Sequence, residues 1–227
     1  MLEYAAVITS ARDPRVVEAV RLLRTADEHA FAIDDAELLR AAVDEGIEVA
    51  WSLRAEEMAQ DARRALAFAG QPPDVIAVCR KPPAPDGPLP PRSLVLARVR
   101  DAGNVGSIIR TAAAFGLPRV ALTPGCADPW SRKALRAAKG ATFRRGLVAE
   151  GARLEGGLLA AAVPRGGVAP RDLPADASVV LGSERGGLTA EERAACELAV
   201  TIPAPGFESL NVAAAAAILT YELARRA

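Results

Sequence analysis

The sequence predicts an α/β protein of two units joined by a proline-rich linker, with a mostly parallel sheet in the second unit. Three observations carry that prediction. Short apolar runs such as SLVLARV, RVALTPG and ASVVLGS alternate with stretches of helical period, as strands covered by crossover helices do. The stretch KPPAPDGPLPPR, residues 81–92, holds six prolines and one glycine and suits neither a helix interior nor a central strand. Glycine-rich corners at 103–106, 125, 182–187 and 206 fall at or beyond the ends of apolar runs. Sheets of this kind bind ligands there, at the carboxyl ends of their strands.

The first unit spans residues 1–80. Asp13-Pro14 reads as an N-cap with proline at the first helical position, followed by Val16, Val20 and Leu23 on one face. FAIDDAELLRAAVDEG reads as a strand, an aspartate cap and a helix closed by Gly46. IEVAWSL is a strand, AEEMAQDARRALAFAG a helix and DVIAVCR a strand. Past the linker, residues 93–227 form the second unit. SLVLARV precedes the helix of DAGNVGSIIRTAAAFG, for which Asn104 is the candidate cap and Gly116 the stop. A strand in RVALTPG, a helix in DPWSRKALRAAKG and strands in GLLAAAV and ASVVLGS follow. Thr189 and Glu192 make a capping box, LAVTIP is the last strand, and Ser209 caps a final helix through SLNVAAAAAILTYELARR.

Composition narrows the function classes. The chain has 227 residues, 51% apolar and only 4% aromatic, so Ala, Val and Leu pack a real core and disorder is excluded. Its three cysteines are far apart and form no metal-ligand spacing, which fits a reduced, cytoplasmic setting with no metal site. MLEYAAVITSARDP carries Glu3 and no basic stretch, so it does not read as a signal peptide. The longest strongly apolar run, VAAAAAIL, is too short to cross a membrane. Net charge is zero, but residues 1–80 hold nine basic and fifteen acidic side chains, leaving the remainder net positive. A polyanion would prefer the second unit.

Several constellations carry chemistry. Arg110 stands among Ile108, Ile109, Ala112 and Phe115, either as a functional cation or as an arginine that snorkels or pairs structurally. Glu184, just past VVLGS and flanked by glycines, either meets N–H groups or a cation, or simply belongs to a polar turn. GSERG is not GxSxG, and the one histidine, His29, lies in the other unit, so a serine–histidine hydrolase is not supported. Neither GxGxxG nor a Walker loop is present, which disfavours a nicotinamide-dependent oxidoreductase. Arg132, Arg136 and Lys139, with Arg144 beyond them, form either a solvated helix or a phosphate-positioning patch. Trp130 beside them either stacks a base or packs.

Taken together, NVGSIIRTAAAFG, VVLGSERGGL and TIPAPGFESLNVAAAAAILTYELARR resemble the three ordered motifs of the SpoU/TrmH group of RNA 2′-O-ribose methyltransferases. ADPWSRKALRAAKGATF is similar to the segment between the first two motifs, and the first unit resembles the small α/β substrate-binding domain of many members. The resemblance implies a C-terminal α/β trefoil knot, S-adenosylmethionine as methyl donor, ribosomal or transfer RNA as substrate, and a homodimer. It places Asn104, Arg110, Glu184, Ser209 and Asn211 in catalysis, and Leu122, Thr123, Gly125, Gly182, Ile202 and Leu210 around the donor. A non-catalytic RNA- or ribosome-binding module keeping the same fold is the alternative.

Overall fold

The structure is a computed structural model that describes Ile8 and residues 10–68, 70–206 and 209–225. Most of the N-terminal segment read as lacking a signal peptide, Phe207 and Glu208 of the third motif, and Arg226 of the last predicted helix lie outside the described residues. The chain divides into two compact units. One holds the described residues up to Pro83 together with Trp130–Arg132; the other holds Ala84–Pro129 and the residues from Lys133 onward.

In the first unit, α1 (Pro14–Arg24) begins where the Asp13 side chain accepts from the N–H of Arg15. Val16, Ala19 and Leu22 are its buried residues, while the expected Val20 and Leu23 are only partly covered. Strand β1 (Ala30–Ile33) leads to α2 (Ala36–Asp44), whose N-cap Asp35 accepts from Glu37 and Leu38. Strand β2 (Val49–Arg54) follows. The single helix expected over 55–70 is instead a short 3-10 turn, Ala55–Glu57, and a separate α3 (Gln60–Leu66). The Glu57 carboxylate turns back onto the Arg54 N–H at 2.6 Å, and the Ala59 N–H donates to the carbonyl of Ile8, so the chain is extended where a helix would run. Strand β3 (Val75–Arg80) lies between β1 and β2 in an antiparallel sheet. Trp130 is buried with its ring 4.9 Å from that of Phe31, so it packs in this unit.

The second unit is built on β4 (Leu94–Leu96), α4 (Ala102–Ala114), β5 (Val120–Leu122), α5 (Arg132–Ala138) and β6 (Val148–Glu150). It continues through β7 (Leu159–Ala162), β8 (Ser178–Leu181), α6 (Ala190–Ala194), β9 (Leu198–Val200) and α7 (Val212–Ala224). The six strands pair in the order β6-β5-β4-β8-β7-β9, every pair parallel. Every residue of β4, β5 and β8 is buried, which requires helices on both faces and explains their unbroken apolar character. Strand β6, absent from the sequence reading, is a three-residue edge strand too short to show a period.

Gly106 shows why α4 carries glycine inside a helix. A Cβ built there would stand 2.2 Å from the Ala134 carbonyl oxygen, so α4 and α5 meet backbone to backbone. The helix caps are shifted from expectation. Asp101, not Asn104, caps α4, accepting the Asn104 N–H at 2.9 Å. Asn211, not Ser209, caps α7, accepting from Ala213 and Ala214. Asn104 lies within the first turn of α4 and Ser209 two residues before the cap of α7, and both are polar, so local pattern does not separate the two choices.

Candidate active site

The order of strands reverses direction about the β4–β8 pair, and the chain segments leaving the carboxyl ends of β4, β8 and β9 carry the motif residues. From β4 the chain reaches Asp101 and the first turn of α4, where Asn104 sits. From β8 it enters the turn closed by reciprocal bonds between Ser183 and Gly187, which displays Glu184. From β9 it runs to Asn211 at the head of α7.

These three corners meet through one amide. Asn104 Nδ2 donates to Glu184 Oε1 at 3.0 Å, and Asn211 Nδ2 donates to Asn104 Oδ1 at 3.3 Å. Residues 80 and 107 positions from Asn104 are thus joined to it side chain to side chain. Glu184 also accepts from the N–H groups of Asp101, at 3.3 Å, and Arg100, at 3.4 Å. Partial burial pushes the Glu184 carboxyl up, but the Asn104 amide and the backbone N–H groups outweigh it and hold the group below its ordinary value.

A residue that sequence reasoning missed fixes the Glu184 loop from below. Arg98, at φ +57°, turns its guanidinium onto Glu192 through Nε at 2.8 Å and Nη2 at 2.7 Å. The same Nη2 donates to the Gly187 carbonyl at 3.2 Å. Glu192 also completes the capping box with Thr189, so one carboxylate ties the loop, α6 and the end of β4 together. Glu192 in the capping box was a visible signal; its arginine partner 94 residues earlier was not.

Beside this network lies a cavity of about 1220 Å³, formed by the segments after β7, β8 and β9 and by the start of α7. Gly182, Ile202, Leu210, Glu184, Ser209 and Asn211 line it. A Cβ at Gly182 would lie 2.3 Å from the Gly187 carbonyl carbon, so the loop can close upon itself only with glycine there. Leu122, Thr123 and Gly125 are not among its lining residues; they belong to the end of β5, where the Thr123 hydroxyl accepts the Arg98 N–H at 3.2 Å. Arg110 is exposed, bonds to no described residue, and stands about 9 Å along the axis of α4 from Asn104. It too lies outside the cavity lining.

Three cations of the basic run at 132–145 are committed within the protein. Arg132 pairs with the buried Asp34 and lies 3.9 Å from the centroid of the Phe68 ring. Lys133 pairs with Asp101 at 2.6 Å, and Arg144 Nη1 donates to the Ala113 carbonyl at the end of α4. Arg136 is exposed on α5, whereas Lys139 lies past the helix end at φ +52°, so the face they were expected to share with Arg132 does not continue.

Residues 91–221 match the SpoU rRNA Methylase family. The chain is 35% identical over 181 residues to a Bacillus subtilis 23S rRNA (guanosine(2553)-2′-O)-methyltransferase, covering 73% of this chain and 71% of that protein. It is similar, with a TM-score of 0.80 and 29% identity, to a putative RNA methyltransferase of the TrmH family from Porphyromonas gingivalis, over 95% of this chain and 99% of that one. The fold also matches the SpoU methyltransferase AviRb from Streptomyces viridochromogenes, solved with its cofactor AdoMet, at a TM-score of 0.82 and 24% identity over 94% of this chain and 98% of that one.

Proposed function

The chain belongs to the SpoU rRNA methylase family, and on that premise we propose that it methylates the 2′-hydroxyl of a ribose in ribosomal or transfer RNA, using S-adenosylmethionine. The observation that carries this reading is the Asn211–Asn104–Glu184 chain, which draws the three motifs to one end of the sheet beside the cavity. A solvated collection of turns has no reason to spend three side chains on one another across such sequence distances.

The cavity fits the donor. Small-molecule sites occupy roughly 300–1,000 Å³, and about 1220 Å³ leaves room for part of a second molecule. Leu181, Val200, Ile202, Leu210 and Leu219 offer apolar walls, while Gly182, Ser183 and Gly187 offer backbone and hydroxyl groups. Bound there, the donor supplies an activated methyl group on a sulfonium, so the protein's task is alignment rather than bond activation. Gly182, Ile202 and Leu210 hold the donor; Leu122, Thr123 and Gly125 act through the β5 end and Arg98. Glu184 fixes the orientation of the Asn104 amide, and Asn211 fixes the start of α7 against it, leaving Ser209 to face the cavity. A guanidinium offers five N–H donors and no acceptor. Arg110, assigned to this step by its place in the first motif and not by the cavity lining, then serves the 2′-oxygen and its neighbouring phosphate as a donor, steadying developing negative charge while water or phosphate takes the proton.

The chain works in this reading as a cytoplasmic homodimer with a threaded trefoil in its second unit. Exposed Phe115 at the C-terminal end of α4, with Ile218 and Tyr221 on α7, and the Phe115 and Tyr221 rings 5.9 Å apart, support a second copy as the partner. Passage of the chain after β9 along the same cavity as the loop after β8 supports the knot. Among the described residues no helix is long and apolar enough to cross a membrane.

Incubating the protein with labelled donor and separated RNA classes, then mapping 2′-O-methyl positions, tests the proposal. Label in one RNA class at a defined ribose is the expected result. Donor binding with no transfer to any RNA would favour the non-catalytic module.

A further inference from the structure

Arg132, Lys133 and Arg144 of the basic run are tied up in the fold, whereas three arginines scattered in the sequence converge. Arg165 follows β7, Arg185 sits in the loop after β8, and Arg193 lies on α6, yet all three line the same cavity. All are exposed, and the side chain of none bonds to or pairs with another described residue. Glu184 is the one acidic side chain among the described residues of the lining, and both its oxygens are already occupied by Asn104 and backbone N–H groups. Among the described residues the cavity mouth therefore carries three guanidinium groups against one carboxylate, an excess of positive charge. Guanidinium groups offer paired donors that match phosphate oxygens, and a rim facing solvent keeps them available until a polyanion arrives.

We propose that Arg165, Arg185 and Arg193 form a phosphate-binding rim that holds the RNA backbone across the cavity mouth. This rests on the reading of the chain as an RNA methyltransferase. The rim supplies position and not sequence preference, since phosphate contacts fix register without reading bases. It also accounts for a neutral chain handling a polyanion: the required field is local to one opening. The donor's own carboxylate is the other anion that could occupy these groups, and the test separates the two.

The experiment measures binding of a fluorescein-labelled single-stranded 20-nucleotide RNA by anisotropy, from 50 to 300 mM KCl, for the full chain and for Arg165→Gln/Arg185→Gln/Arg193→Gln. Each phosphate contact on a single strand contributes about 0.7 to the log–log salt slope. The triple variant is expected to lose about 2 from that slope and to weaken RNA binding at low salt. Donor affinity, measured by calorimetry, is expected to change less than about twofold, since the wider walls of the site are untouched. Arg193→Gln alone, checked by circular dichroism, is expected to lose about 0.7 and guards against misfolding of the triple variant. An unchanged slope overturns the proposal. So does a loss of donor affinity at unchanged slope, which would assign the rim to the donor's carboxylate. A wild-type chain that binds RNA through the rim yet transfers no methyl group would instead overturn the enzymatic reading and leave the rim standing.

Discussion

Asn104 is bound at both ends of one amide: its nitrogen serves Glu184 and its oxygen serves Asn211. Asn104→Asp keeps the size and replaces the donor with a carboxylate facing Glu184 at a contact now 3.0 Å long. Turnover is expected to fall about 100-fold or more, the scale of losing a preorganised donor. Adding Glu184→Gln restores a donor on the opposite side and is expected to recover part of that loss in single-turnover assays. Arg110→Ala should cost turnover on at least the same scale, with unchanged melting temperature and donor affinity, because the exposed side chain bonds to nothing described. Near-normal turnover would remove Arg110 from the chemistry. At this scale the sequence grouped Asn104, Glu184 and Asn211, which hydrogen bonds join, and misplaced the caps. Asn104 and Ser209 have the side chains of N-caps, but Asp101 and Asn211 take those roles, which frees Asn104 to bridge the three motifs.

Among the elements, α4 and α5 touch through Gly106, and Gly106→Ala forces a methyl group into the space of the Ala134 carbonyl. Overpacking of this kind costs about 1–3 kcal/mol, read as a lowered melting temperature. The Arg98 clamp makes a separate, acid-sensitive contribution. The Arg98 guanidinium holds the Glu192 carboxyl below its ordinary 4.5, outweighing partial burial, with help from the Thr189 N–H. A depressed carboxylate stabilises fully above its unfolded value and loses that contribution as pH falls through the folded one. The melting-temperature gap between the wild-type chain and Glu192→Gln should therefore be constant at neutral pH and close below about 4.5. Strands and helices were legible wherever apolar runs alternated with capped amphipathic stretches. The split of 55–66 was not, because it depends on Ile8 reaching Ala59 across the chain. Nor were the rim arginines, since nothing local to 165, 185 or 193 records that their loops share a cavity.

At the scale of the whole molecule, the first unit does not end at its linker. Trp130 is buried within it, and Trp130→Ala is expected to cost about 3–5 kcal/mol, seen as an earlier calorimetric transition. Tyr221→Glu on the exposed apolar patch should turn a homodimer into a monomer in sedimentation velocity; a wild-type chain that already sediments as a monomer would remove the second copy from the reading. Strand β4 finds one neighbour in β5 soon after, but the other, β8, pairs Val179 with Leu94 only after most of the chain has been made. During translation the central strand therefore waits half-zipped, its free edge exposed until late residues emerge, and refolding from denaturant should be slow for the chain's size, on a scale of seconds or longer. Since Asn211 arrives later still, a nascent chain has no complete site: maturation of the catalyst is timed by the ribosome that makes it.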